Sequence, residues 1–331
     1  MRGIVGVDGG TTKTIALVAG LDGAIRGTGR DGGSNIYVRG GIQRALAAVE
    51  RAVMDAVRAA GMNIDDLVAG VFSMSGADWP EDVISLRRAM EWRRFGRSVR
   101  VVNDALGALR AGSPDGTGVV VVCGTGAAIG ARGANGRAWH SGFWQEGGGS
   151  RGLARKMRRA VYRAALGLDP ATALTARALD IYEQPGVEEI LHALTARDRR
   201  PMPIDLTGRV ARALLDEAER GDAMARRIVR EHGALLGDYA VVAARQVGLG
   251  GDSFPLVLTG GVLRHRSPLL SEAIVARVRL EAVEARPIAS RFEPAVGALF
   301  LALEDAGVVV DDDLLERSVM PTLPPDTLYH T

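Results

Sequence analysis

Apolar residues fall into short blocks separated by glycine-rich turns at the start of the chain, and into a helical period further on. Runs over 3–8, 14–20 and 24–30 predict three short strands joined by tight turns. An alanine-rich amphipathic pattern over 41–60 predicts a long helix. A buried-type strand follows over 67–75, and Pro80-Glu81 opens a second helix. Residues 99–103 form the next strand, which ends where a short helix starts at Asp104. The turn-rich stretch 112–118 (GSPDGTG) is the best boundary. A second strand set begins at Val119. Residues 149–247 read as almost wholly helical, with breaks near Gly167, Pro185 and 200–203. A buried strand over 255–259 leads into Gly260-Gly261 and a helix from about Ser267. A last strand is expected over 281–288 and a last core helix over 294–306. The tail from Val308, with its acidic run and three prolines, gives only a weak signal. The leading order β-β-β-α-β-α-β-α predicts an α/β protein built on mixed sheets.

Two of the predicted hairpins carry the same chemistry. Residues 3–23 read strand, Asp-Gly-Gly-Thr-Thr turn, strand, Asp-Gly turn; residues 118–136 read strand, Gly-Thr-Gly turn, strand, Asn-Gly turn. Glycines let backbone N–H groups approach an anion closely, and threonine hydroxyls add donors without charge. One such hairpin by itself favours a plain chain turn over an anion cradle. Two suggest similar halves gripping a nucleotide triphosphate from opposite sides. A dinucleotide fingerprint needs a helix straight after its glycines, whereas here a strand follows. The sequence around Lys13 does not match a P-loop either.

Composition narrows the remaining classes. The 331 residues suffice for two domains, and no apolar run approaches the ~20 residues that span a bilayer. Asp8 and Lys13 stand where a signal peptide would be apolar, so a cytoplasmic location is expected, with no membrane partner. Cys123 is the single cysteine and ends an apolar run, which fits a buried small side chain and leaves no cysteine-based metal site within one chain. The five histidines show no ligand spacing and read as surface or supporting residues. Of 41 basic residues, all but Lys13 and Lys156 are arginine, yet 39 acids nearly balance them. With no basic tail or recognition motif, no nucleic-acid partner is expected. The arginines of 151–163 read as a solvated helix face.

Taken in order, these segments resemble the sugar-kinase/actin/heat-shock-chaperone ATPase superfamily. Within it the chain is most similar to the BadF/BadG/BcrA/BcrD ATPase family, which includes N-acetylglucosamine kinase. The likeness runs from Gly3 to Ala306. Residues 4–14 resemble the first phosphate motif, 101–109 (VVNDALGAL) the first connector and 119–130 the second phosphate motif. Residues 256–264 (LVLTGGVLR) resemble the adenosine motif and 293–303 (EPAVGALFLAL) the second connector. The resemblance implies a two-lobed actin-like (ribonuclease H-like) fold with the nucleotide in the cleft. Its expected parts are an N-terminal lobe over 1–112, a C-terminal lobe with a helical insertion over 113–307, and a tail over 308–331 packing back on the N-terminal lobe.

The same resemblance implies roles for individual residues. Asp8 ends a strand beside a glycine turn, where a carboxylate holds the waters of a Mg²⁺ or merely caps the turn. Gly9, Gly10, Thr11, Thr12 and Lys13 would cradle the ATP phosphates, with Gly124, Thr125 and Gly126 facing them. Gly260 and Gly261 would let the adenosine lie against backbone, with Arg264 stacking on the base. Asp104 matches the family's catalytic base, which takes the acceptor's proton as the new bond forms; an N-cap would equally suit that position. Asn35 matches the family's sugar-binding Asn. Ser75-Gly76-Ala77-Asp78 resembles its Ser-Gly-Gly-Asp segment, which places Ser75, Gly76 and Asp78 at the acceptor. Two departures stand out. Ala127-Ala128 replace the Ser-Asn of N-acetylglucosamine kinase, and Glu146-Gly147-Gly148-Gly149-Ser150 replaces Gly-Asp-Glu-Gly-Ser, so the sugar-contacting Asp is Gly147. Glu146 would supply a carboxylate from next door, and Trp144 and Phe143 an apolar face.

The leading expectation is an ATP- and Mg²⁺-dependent kinase acting on a sugar, most plausibly at the 6-OH of an amino sugar or related hexose. Relatives suggest a homodimer. Two other classes stand beside it: an ATP-driven activator, which needs iron–sulfur ligands that Cys123 alone does not provide, and a non-catalytic sugar or nucleotide sensor. Zinc-containing ROK kinases carry a cysteine-rich motif that this chain lacks.

Overall fold

Every residue of strand β1 (Gly3–Gly9) is buried, because the strand lies mid-sheet with helices on both faces. The computed structural model describes residues 2–38, 40–145, 147–198, 204–249 and 253–327. In the first sheet β1 pairs antiparallel with β2 (Lys13–Gly20), which pairs with β3 (Ile25–Gly32). On its other side β1 pairs parallel with β4 (Leu67–Met74), which pairs with β5 (Ser98–Asn103); the helix α2 (Pro80–Trp92) joins the two. The order is β3-β2-β1-β4-β5.

The second sheet repeats this plan. Strands β6 (Gly118–Cys123), β7 (Ala127–Arg132) and β8 (Ala138–His140) form the antiparallel half. Strands β9 (Pro255–Thr259) and β10 (Arg286–Ala289) continue in parallel, giving β8-β7-β6-β9-β10. The duplicated hairpins read from sequence are therefore the cores of two equivalent sheets, as the actin-like α/β fold requires.

Alternation along β1 sorts the packing. Val5 and Val7 join a cluster with Val49, Val53 and Val57 of α1 (Gly41–Ala59), while Ile4 faces Val296, Leu299 and Phe300 of α10 (Pro294–Asp305). After β10 the chain thus returns to cover the first sheet. There α10 crosses α3 (Asp104–Gly112) closely: a Cβ on Gly297 would stand 1.9 Å from the Gly107 carbonyl oxygen. Only glycine fits that crossing. The tail follows the same path. Its Thr322 hydroxyl accepts from the Ile25 N–H at 2.9 Å, and Val319 is buried with Ile4 and Leu17.

Helices α4 (Ser150–Ala165), α5 (Leu174–Tyr182), α6 (Val187–Thr195), α7 (Ile204–Arg220) and α8 (Ala223–Gln246) fill the expected helical region and bury one large cluster against the second sheet. The break at Gly167 has φ +71°; the one expected at 200–203 lies outside the described residues. Helix α9 (Leu269–Arg279) begins two residues after Ser267. The last strand is four residues long, not eight, because 278–285 satisfies its backbone in successive turns (Ala282 N to Val278 O, 2.9 Å; Ala285 N to Ala282 O, 3.0 Å). Strand β8 was not expected. Among the described residues no helix is long and apolar enough to cross a membrane.

Candidate active site

The carboxyl ends of β1, β4 and β5 in one sheet, and of β6 and β9 in the other, converge on a cavity of about 770 Å³. Ligands bind at such ends because strand termini and helix starts leave N–H groups and side chains facing one crevice. Each sheet contributes a glycine turn. In the first, Gly10 N–H bonds the Lys13 carbonyl at 2.9 Å, while Thr11, Thr12 and Lys13 line the cavity. In the second, Gly124 N–H bonds the Gly126 carbonyl at 2.8 Å, and Gly124, Thr125 and Gly126 line the opposite wall. Gly260, Gly261 and Arg264 follow β9 and complete that wall. Gly9 is buried in β1 behind the surface, where its carbonyl receives Ser75 N–H at 2.7 Å.

Between the hairpins lie the acids. Asp8 ends β1, and burial pushes its carboxyl up to about 8; the charges of Asp104 and Glu293 add to this and Lys13 opposes it. Asp104 opens α3, and burial raises it to about 6, followed by the charge of Asp78; hydrogen bonds from Ala105 N–H and the Ser75 hydroxyl pull it down. The cap of α3 is Asn103, whose side-chain oxygen receives Ala105 N–H at 3.1 Å. The helix thus has a cap other than Asp104, whose carboxylate lines the cavity. Carboxyl oxygens are the donors a hard cation takes; among the described residues no three acids are gathered to hold one directly, so Asp8, on giving up its proton, would hold a Mg²⁺ through waters.

Beside the first glycine turn Asn35 donates to the Ser75 hydroxyl at 2.9 Å and to Thr11 at 3.4 Å, while its oxygen receives Tyr37 N–H. Asp78 accepts from Asn103 at 2.9 Å and lies 3.7 Å from His140. Asn35, Ser75, Gly76 and Asp78 are thus gathered with Asp104 around one wall. Ala127 and Ala128, from β7 of the second sheet, also line the cavity. Of the two aromatics, Phe143 lines the cavity and contacts Tyr37 (4.9 Å, edge-on) and Trp79 (6.1 Å, stacked). Trp144 is 74 % exposed and off the cavity, since the 3₁₀ turn Gly142–Trp144 rotates successive side chains by a third of a turn. Glu146 lies outside the described residues. Gly147 has φ +65°, and a Cβ there would meet the Arg155 guanidinium at 3.1 Å.

Residues 5–302 match the BadF/BadG/BcrA/BcrD ATPase family. The chain belongs to this family. It is 26 % identical to the N-acetyl-D-glucosamine kinase of Dictyostelium discoideum, covering 90 % of this chain and 97 % of the relative. It is 24 % identical to the N-acetylmuramic acid/N-acetylglucosamine kinase of Clostridium acetobutylicum, over 91 % and 98 %. The fold is shared with a candidate N-acetylglucosamine kinase from Chromobacterium violaceum, at TM-score 0.67 and 22 % identity, covering 92 % of this chain and 99 % of that one.

For this family member the structure also brings forward residues that the sequence reading passed over. Glu293 is buried, lines the cavity and accepts from Lys13 Nζ at 2.9 Å. Its position at the head of the second connector was visible; its partner 280 residues away was not. Arg151 and Arg212 line the cavity as well, so the solvated face of α4 reaches the site at its first turn. Of the two roles expected of the histidines, His232 takes the supporting one: it is fully buried, Nε2–H donates to the Gly148 carbonyl at 2.8 Å, and burial holds the ring down at about 4 and neutral. With Tyr239, which donates to the Trp144 carbonyl at 2.7 Å, it ties the loop after β8 to α8.

Proposed function

We propose that the protein is an ATP- and Mg²⁺-dependent kinase that phosphorylates a hydroxyl, the 6-OH in our reading, of an amino sugar or related hexose. The observation that carries this reading is Asp104: an acid with a carboxyl near 6, lining the same cavity as two facing phosphate-type hairpins. The names of the two curated relatives support the acceptor class.

An alcohol is a weak nucleophile, and a carboxylate that takes its proton in the transition state is worth about 10²–10⁴ in rate. The acceptor oxygen attacks the γ-phosphorus, its proton passes to Asp104, and the bond to the β–γ bridging oxygen breaks so that ADP leaves with that electron pair. Gly10, Thr11, Thr12 and Lys13 hold the phosphates from one side and Gly124, Thr125 and Gly126 from the other. Gly260, Gly261 and Arg264 take the adenosine. Magnesium, when bound, neutralises charge on the β- and γ-phosphates, and Asp8 would hold it through waters. Asn35, Ser75, Gly76 and Asp78 orient the acceptor. With Ala127, Ala128 and Gly147 replacing three hydrogen-bonding side chains, the preferred sugar differs in substitution from N-acetylglucosamine, because a site lacking partners for a polar group does not select for it.

An electron-transferring activator is disfavoured by Cys123. Its thiol is buried against the Gly148 carbonyl, and burial pushes it up to about 12, so it offers no thiolate to a cluster. A coupled ADP-release screen over hexoses, amino sugars, N-acetylated sugars and polyols tests the reading. Sugar-dependent ADP release with at least one amino sugar or hexose is expected; ADP release equal with and without every acceptor would overturn it.

A further inference from the structure

Glu293 stands at a junction that no assigned role explains. It is the last residue before α10, and its backbone N–H donates to the Thr327 carbonyl of the tail at 2.9 Å, which fixes the start of the helix. Its side chain is 7 % exposed and accepts from Lys13 Nζ at 2.9 Å. Arg264 Nη1 approaches the same oxygen at 3.9 Å. One carboxylate therefore joins the cation of the first phosphate hairpin to the cation of the adenosine loop, which belong to different sheets. It does so on the cavity wall, beside Asp8.

An isolated buried carboxylate is costly, and a lysine ammonium satisfies it only as long as the ammonium stays. A triphosphate entering the cradle competes for that ammonium. Metal-free ATP would draw Lys13 away and leave the Glu293 charge facing phosphate oxygens with only Arg264, at 3.9 Å, to offset it. A nucleotide arriving with a divalent cation brings the compensating charge with it. Taking this site as the nucleotide site proposed above, we infer that Glu293 is a positioning residue that makes the cradle discriminate between metal-loaded and metal-free nucleotide. It holds Lys13 in place and penalises phosphate that lacks a cation. Removing one unit charge from a cavity wall beside bound phosphate, at an effective dielectric between those of interior and water, changes affinity roughly tenfold.

The test is calorimetric binding of AMP-PNP to the full chain, with Mg²⁺ and in EDTA, for the wild type, Glu293→Gln, Glu293→Asp and Lys13→Met. No turnover is needed. Glu293→Gln keeps a hydrogen-bond acceptor for Lys13 but removes the charge. The ratio of metal-loaded to metal-free affinity should fall about tenfold, chiefly through tighter metal-free binding. Glu293→Asp retains the charge and should keep most of the ratio. Lys13→Met should act in the opposite sense, weakening metal-free binding most and raising the ratio; this arm stands even if Glu293→Gln does not fold. An unchanged ratio in Glu293→Gln, an equal loss of both affinities, or a ratio lowered by Lys13→Met would overturn the inference. A wild type that binds AMP-PNP under neither condition would instead remove the nucleotide site on which it rests.

Discussion

Asn103 donates its side-chain amide to Asp78 at 2.9 Å while the oxygen of the same amide caps α3 through Ala105 N–H. One residue thus fixes the helix that begins with Asp104 and the carboxylate whose charge raises Asp104. Because Asn103 supplies the cap, the lining carboxylate next to it can serve chemistry.

Asn103→Ala should accordingly damage function more than stability. Loss of the cap costs about 1 kcal/mol and loss of the bond to Asp78 a similar amount. The melting temperature should fall by a few degrees while kcat drops at least tenfold, with ATP affinity within a few-fold of wild type. Calorimetry and steady-state kinetics on one preparation check this; an unchanged kcat would show that Asp104 is positioned without the cap.

The pH profile carries its own sign. With Asp104 near 6, kcat/KM should climb about tenfold per unit below that value and level off above it. Asp78 holds Asp104 up by like-charge repulsion, so Asp78→Asn should move this acid limb to lower pH. A limb that stays put, or moves up, would assign the ionisation to another group.

Asp8 predicts a stability effect. Its folded value of about 8 lies above the ordinary carboxyl value of 3.8, so between those limits the folded chain keeps a proton that the unfolded chain has lost. Stability of the nucleotide-free protein should therefore fall as pH rises through this window, by up to about 1.4 kcal/mol per unit for that proton. Asp104 titrates lower, so between pH 6 and 8 the slope belongs mainly to Asp8. Asp8→Asn should flatten it and should lose much of the thermal stabilisation given by Mg·AMP-PNP. Parallel melting curves for the two proteins across that range would contradict the assignment.

Much of this arrangement was legible in the chain because it is local. The two glycine hairpins, the strand ending at Asn103 and the Gly260-Gly261 turn are each written in a few consecutive residues whose backbone needs are specific. Asp8, Asp104 and the phosphate turns were found from them. What was hidden depends on contacts distant in sequence. Lys13 with Glu293, and His232 with Gly148, join segments by tertiary packing that no periodicity reports. Phe143 and Trp144 are neighbours with equal apolar character, and only the turn that carries them decides which one faces the cavity. The strand expected over 281–288 exists but begins only at Arg286, because the apolar spacing before it suits a strand while the backbone of 278–285 is satisfied locally.

The central claim is that Asp104 takes the proton of an attacking sugar hydroxyl. The most direct measurement compares wild type and Asp104→Asn for AMP-PNP affinity by calorimetry and for phosphosugar formation by phosphorus NMR, using the best acceptor from the screen. The account predicts nucleotide affinity within a few-fold and phosphosugar formation reduced at least a hundredfold. Phosphosugar formed by Asp104→Asn at the wild-type rate would contradict it.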